Sequence, residues 1–107
     1  MNDQRLMALD RANRIRLARA DVKRELRNGT LTIADALIDE RARGLSVWVL
    51  LLSQPRWGEE RCRRFFDGVS VTFSPFKAVG GLTGRQRALV VERVGLLAPR
   101  SQRRVAA

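Results

Sequence analysis

The chain has 107 residues, the size of one domain with a modest core. Its 21 Lys and Arg against 11 Asp and Glu leave a net charge of +10 and a pI of about 11.7. A compact body so charged attracts polyanions, and inside a cell the usual polyanion is nucleic acid. Histidine is absent, so the commonest general base and the commonest neutral metal ligand are missing. The one cysteine, Cys62, has no disulfide partner in the chain and no histidine to complete a zinc site or a Cys–His pair. Composition therefore points away from catalysis, and no cofactor is expected.

Residues 3 to 27 are expected to form a long helix, with Ile15, Ala18, Val22 and Leu26 as its apolar stripe. Arg16, Arg19, Lys23 and Arg27 form a basic stripe beside it, read equally well as a solvated face or as phosphate contacts. Asn28-Gly29 is a stop signal. Thr32-Ile33-Ala34-Asp35 is a capping pattern opening a short helix that would bury Ile33, Ala36 and Leu37. The charged stretch Asp39 to Arg43 and then Gly44 close it. Leu45 to Gln54 is core by composition but ambiguous by period: Val47-Trp48-Val49 favours a strand, the leucines at 50 to 52 a helix. Pro55 ends it.

Glu59 to Asp67 reads as a further helix, with Cys62, Phe65 and Phe66 inward and Arg61, Arg63 and Arg64 outward. Cys62, lying among phenylalanines, is most simply a small core residue. Glu59 and Glu60 suit the helix dipole in its first turn. Val69, Val71 and Phe73 alternate with polar residues, the pattern of a short extended segment. Thr83-Gly84-Arg85-Gln86 is a full capping box opening a last helix that would bury Ala88, Leu89, Val91 and Val94 and stop at Gly95. The division expected is a single domain over 1–107: a basic N-terminal helix at 1–29, a core at 30–95 and a flexible basic tail at 96–107. No secretory signal opens the chain, and its longest apolar run, Leu45 to Leu52, is far short of the roughly 20 residues of a membrane span. The expected location is the cytoplasm, at the nucleoid.

The stretch from Leu50 to Arg64 carries the clearest candidate site. An apolar helix end, a Pro/Gly turn and a new helix would present backbone N–H groups to an anion. Gly58 would admit a phosphate close to the backbone, with Arg56, Arg61 and Arg64 around it; Glu59 and Glu60 oppose that charge. An ordinary corner between two helices is the plainer reading. Trp57 at the tip is read as packing into the core, with base stacking as the alternative.

Four motifs in register resemble those of the actinobacterial integration host factors. They are Arg16 to Gly29 (RLARADVKRELRNG), Leu31 to Ile38, the turn Leu51 to Phe66, and the glycine loop Ala78 to Leu89. The resemblance implies an all-α fold with a long basic N-terminal helix and a helix–two-turns–helix core, and so makes Leu45 to Gln54 helical. It also implies largely sequence-tolerant binding and bending of double-stranded DNA, in support of recombination or nucleoid organisation. It implies no membrane, a monomer, and an integrase or recombinase partner met through shared DNA. By position, Pro55, Gly58 and Arg61 match the turn, and Gly81 and Leu82 match the loop. Two departures mark the chain as divergent, in the manner of a phage or mobile-element protein. Arg56 replaces the turn's first glycine. Lys77 alone, beside Ser74, Pro75, Phe76 and Ala78, stands where three arginines are expected; Arg85 and Arg87 follow just beyond.

The DNA-contacting set expected is thus Arg16, Arg19, Lys23, Arg27, Pro55, Arg56, Gly58, Arg61, Arg64, Lys77, Gly81, Arg85 and Arg87. Two rivals remain at this stage: a structured-RNA binder, and a protein-interaction module, which exposure of Phe73 and Phe76 beside Trp57 would favour.

Overall fold

A computed structural model describes residues 3–67 and 71–97. Five helices follow in order: α1 (Asp3–Asn28), α2 (Ile33–Ala36), α3 (Val47–Ser53), α4 (Glu59–Phe66) and α5 (Gly84–Leu97). Single 3-10 turns lie at Glu40–Ala42 and Val79–Gly81. No strand occurs among the described residues; one isolated bridge pairs Ser46 with Ala78. The fold is all-α. Val71 and Phe73 are half-buried in irregular chain rather than in an extended segment, and Val69 lies outside the described residues. The expected tail lies outside them from residue 98 onward.

Helix boundaries follow local chemistry. Gly29, at φ +79°, lets Thr30 and Leu31 turn back so that both donate to the Glu25 carbonyl, closing α1. The Thr32 hydroxyl accepts from Asp35 N at 3.1 Å to start α2, and the Ser46 hydroxyl accepts from Val49 N at 3.2 Å to start α3. Within Leu45 to Gln54 that cap starts a helix over Val47–Ser53 only, with Leu45 before it and Ser46 and Gln54 extended at its ends, and Val47, Leu50 and Leu51 become its buried face. Thr83 and Gln86 exchange bonds of 3.1 and 3.0 Å at the entrance to α5, as a capping box should.

One core takes side chains from every helix, with Val22, Leu26, Leu50, Leu51, Cys62, Phe65 and Val90 fully enclosed. Two expectations about burial and one about a helix end need correction. In α1 only Val22 and Leu26 are buried; Ala18 is half-buried and Ile15 is exposed, because the helix outruns the small body it packs on. In α5 the buried positions are Val90 and Val94, with Leu89 half-buried and Ala88 and Val91 at the surface. Val94 is buried as expected, while Val90, between Leu89 and Val91, takes the other inward position. Gly95 does not end α5, which runs on to Leu97; one exposed glycine costs a helix only about 1 kcal/mol.

Candidate nucleic-acid interface

The α1 stripe forms a site with shape. Arg16, Arg19 and Lys23, with Ala12, Ile15 and Leu45, line an open groove of about 520 Å³ with no carboxylate in its wall. The Arg19 guanidinium lies over Gly44, where a Cβ would overlap it. Arg27, a turn beyond Lys23 on the same side, is exposed but outside the groove.

From Gly44 the chain connects this groove to the glycine loop. Gly80 N donates to Arg43 O at 2.9 Å and Val79 N to Leu45 O at 2.8 Å. A Cβ at Gly80 would stand 3.2 Å from Arg43, closer than ordinary contact, so the two segments approach tightly there. Arg43 and Arg87 flank a smaller cavity of about 200 Å³ against Gly80, with Glu40 in its wall. Arg87 also donates to Leu82 O at 2.8 Å. Lys77 reaches across Gly81 to the Gln86 side-chain oxygen at 3.3 Å, so its ammonium stands at the entrance to α5. Arg85, in the first turn, is exposed and unpaired with any described residue. The α1 stripe and the Lys77–Arg87 loop thus flank the segment from Arg43 to Val47.

The Pro55–Arg64 turn lies at the other end of α3, which spans about 10 Å at the usual helical rise. Arg56 occupies the left-handed region at φ +67°, alone among the described non-glycine residues. That geometry gives the physical reason for a glycine at this place in related turns. Trp57 is 4% exposed and meets Phe65 edge-on at 6.5 Å, so it is core and not a stacking platform. Arg61 does not point outward as expected. Its guanidinium donates to Arg56 O at 2.9 Å and lies 5.6 Å from the centre of the Trp57 ring, bracing the turn. Gly58 starts α4 without a side-chain cap, which leaves the first N–H groups of that helix open. Arg56 and Arg64 are exposed, and neither side chain is ion-paired to a described residue.

Three arginines that the sequence reading did not single out have defined places. Arg41 grips Glu25 with two bonds of 2.8 and 2.9 Å and Asp39 at 2.7 Å, tying α1 to the first 3-10 turn. Hydrogen bonds from its guanidinium hold both carboxyls below their usual range. Arg93 donates to Phe65 O at 2.7 Å and closes the end of α4. Arg43 joins Arg87 only through the fold. Arg41 and Arg43 lie in a charged run whose pattern says "surface" and nothing about partners, and Arg93 lies in an apolar stretch of α5 where only Glu92 beside it is charged. Cys62 is buried, and burial pushes its thiol up to about 11, so it is an inert core group. Among the described residues no cluster of three or more His, Cys, Asp or Glu side chains could hold a metal, and no helix is long and apolar enough to cross a membrane.

Fold and surface together define a small, basic, all-helical domain whose cations gather on α1 and at two helix entrances. Over 98 residues the chain is 31% identical to the integration host factor of Mycobacterium tuberculosis (strain ATCC 25618 / H37Rv), covering 88% of this chain and 91% of that protein. The chain belongs to the integration host factor family. A solved structure of sIHF bound to an 8 bp palindromic DNA matches with a TM-score of 0.67 at 23% identity, over 78% of this chain and 96% of that one. No family model matches the sequence.

Proposed function

We propose that this protein is a non-catalytic architectural protein that binds double-stranded DNA, largely without regard to sequence, and works at the nucleoid in the cytoplasm. The carboxylate-free groove of Arg16, Arg19 and Lys23, joined through Arg43 and Gly44 to the Lys77–Arg87 loop, carries the reading. Family membership supports it, as does the DNA in the complex of the structural neighbour. Arg27, Arg56, Arg61, Arg64 and Arg85, with the backbone at Pro55, Gly58 and Gly81, complete the proposed contact set. Contacts to phosphate fix position but carry little sequence information. The protein acts as a monomer, and an integrase or recombinase meets it through the shared DNA.

The test is binding to a random-sequence duplex of about 30 base pairs over a range of salt. With roughly six phosphate contacts, log affinity should fall against log salt with a slope of about −5. No binding at low salt, or tighter binding to structured RNA in competition, would overturn the reading.

A further inference from the structure

We propose that Phe76 is a wedge that inserts between two stacked base pairs of bound duplex DNA and kinks it there. The inference rests on the DNA-binding reading above and deepens it by naming the residue that bends.

Phe76 is 72% exposed, whereas phenylalanine is ordinarily among the more buried residue types. It is also held in place. Lys77 N donates to Ser74 O and Phe76 N to the Ser74 hydroxyl, both at 3.1 Å, making a tight turn. Pro75 O accepts from Trp48 N at 2.9 Å and Lys77 O from Val47 N at 3.2 Å, pinning the turn to the start of α3. Behind the ring runs an aromatic column. Phe76 lies 6.1 Å from Trp48, Trp48 stacks on Phe66 at 6.3 Å, and Phe66 meets the fully buried Phe65 at 4.8 Å. A load on Phe76 therefore passes into the core, and little ordering cost is left to be met on insertion.

The surroundings favour a base step over a protein surface. Of the other aromatic residues, Trp57 is buried, while Trp48, Phe66 and Phe73 are half-buried. Phe76 is thus the one aromatic ring that projects well clear of the body. The next residue is Lys77, with its ammonium at the entrance to α5 and Arg85 in the following turn. Cations beside the tip would hold the two phosphates that flank an opened step. Apolar side chains that kink DNA are used in this setting, a hydrophobic wedge beside phosphate-binding cations.

The experiment uses the whole protein and a duplex of about 30 base pairs labelled at both ends for energy transfer, with affinity read on the same samples by anisotropy. The wild type should raise transfer on binding. Phe76→Ala should lose about half or more of that rise while keeping the salt slope, and Phe76→Leu, still an apolar wedge, should keep most of it. A wild type that binds no duplex brings down the DNA-binding reading and this one with it. A wild type that binds but leaves DNA straight, or a Phe76→Ala variant that bends as well as the wild type, overturns the wedge alone and returns the tip to a protein partner.

Discussion

The entrances to α4 and α5 are built from opposite materials. At Gly58 nothing caps the helix; the turn stands on Trp57 beneath it and on Arg61 folded back over it, and the first N–H groups stay open. At Thr83 the cap is closed by Gln86, and Lys77 adds a cation to the same side-chain oxygen. One entrance draws its rigidity from the core and offers backbone to an anion. The other satisfies its own backbone and offers side chains. The first is open but carries Glu59 and Glu60; the second is capped but cationic. Under the proposed function, a phosphate at the first entrance would be recognised mainly by geometry, and at the second mainly by charge.

The largest expected effect comes from removing the support of the first entrance. Trp57→Ala should cost about 3–5 kcal/mol in denaturant unfolding, the usual loss for a buried ring. Amide exchange should speed up from Cys62 to Phe66 while the Thr83 cap keeps its protection. Equal loosening at both entrances would mean that they are one cooperative unit, and the contrast would fail. Thr83→Ala should cost about 1 kcal/mol, the ordinary value of a cap. A cost as large as that of Trp57→Ala would place core support under the second entrance too.

The difference also explains what could be read from sequence. The capping box was legible because Thr83 and Gln86 lie three residues apart and make local bonds, and the stops at Gly29 and Pro55 were legible for the same reason. The all-α fold followed from the integration host factor motifs, whereas the period of Leu45 to Gln54 alone left strand and helix equal. Ser46 settles that run, and its role depends on which side of the choice is already taken. What could not be read was long-range. Arg61 looks like any outward arginine in a charged helix until Trp57 is placed beneath it. Arg41 meets Glu25 across 16 residues, and Arg43 comes to line one cavity with Arg87. Ile15 fits the apolar period of α1, but period does not say where the body ends.

The Arg41 clamp lies outside both entrances and should respond to acid alone. Its hydrogen bonds hold Glu25 and Asp39 below their ordinary pKa values of 4.5 and 3.8. The folded state therefore binds fewer protons than the unfolded chain in this range. The clamp's contribution is complete above those ordinary values and is lost as pH falls through the lower folded ones. Replacing Arg41 by Met should lower the unfolding midpoint at neutral pH, and the gap to the wild type should narrow as pH falls below the ordinary carboxyl values and through the lower folded ones. A gap that stays constant would mean that Arg41 acts through packing alone.

The smallest expected change separates the shape of the first entrance from its charge. Arg56 pays for φ +67° with the strain that any side chain meets in the left-handed region, about 1–2 kcal/mol. Glycine removes that strain but frees the unfolded chain, which takes back roughly 0.4–1 kcal/mol. Arg56→Gly should therefore stabilise the fold by about 0.8 kcal/mol, the difference between the middles of the two ranges. DNA binding should move the other way, with the salt slope shallower by about 0.9 if the exposed guanidinium meets one phosphate. A variant that gains stability and binds DNA unchanged would show that geometry does all the work at this turn. One that loses stability would mean that the Arg56 side chain supports the turn through contacts stronger than its own strain.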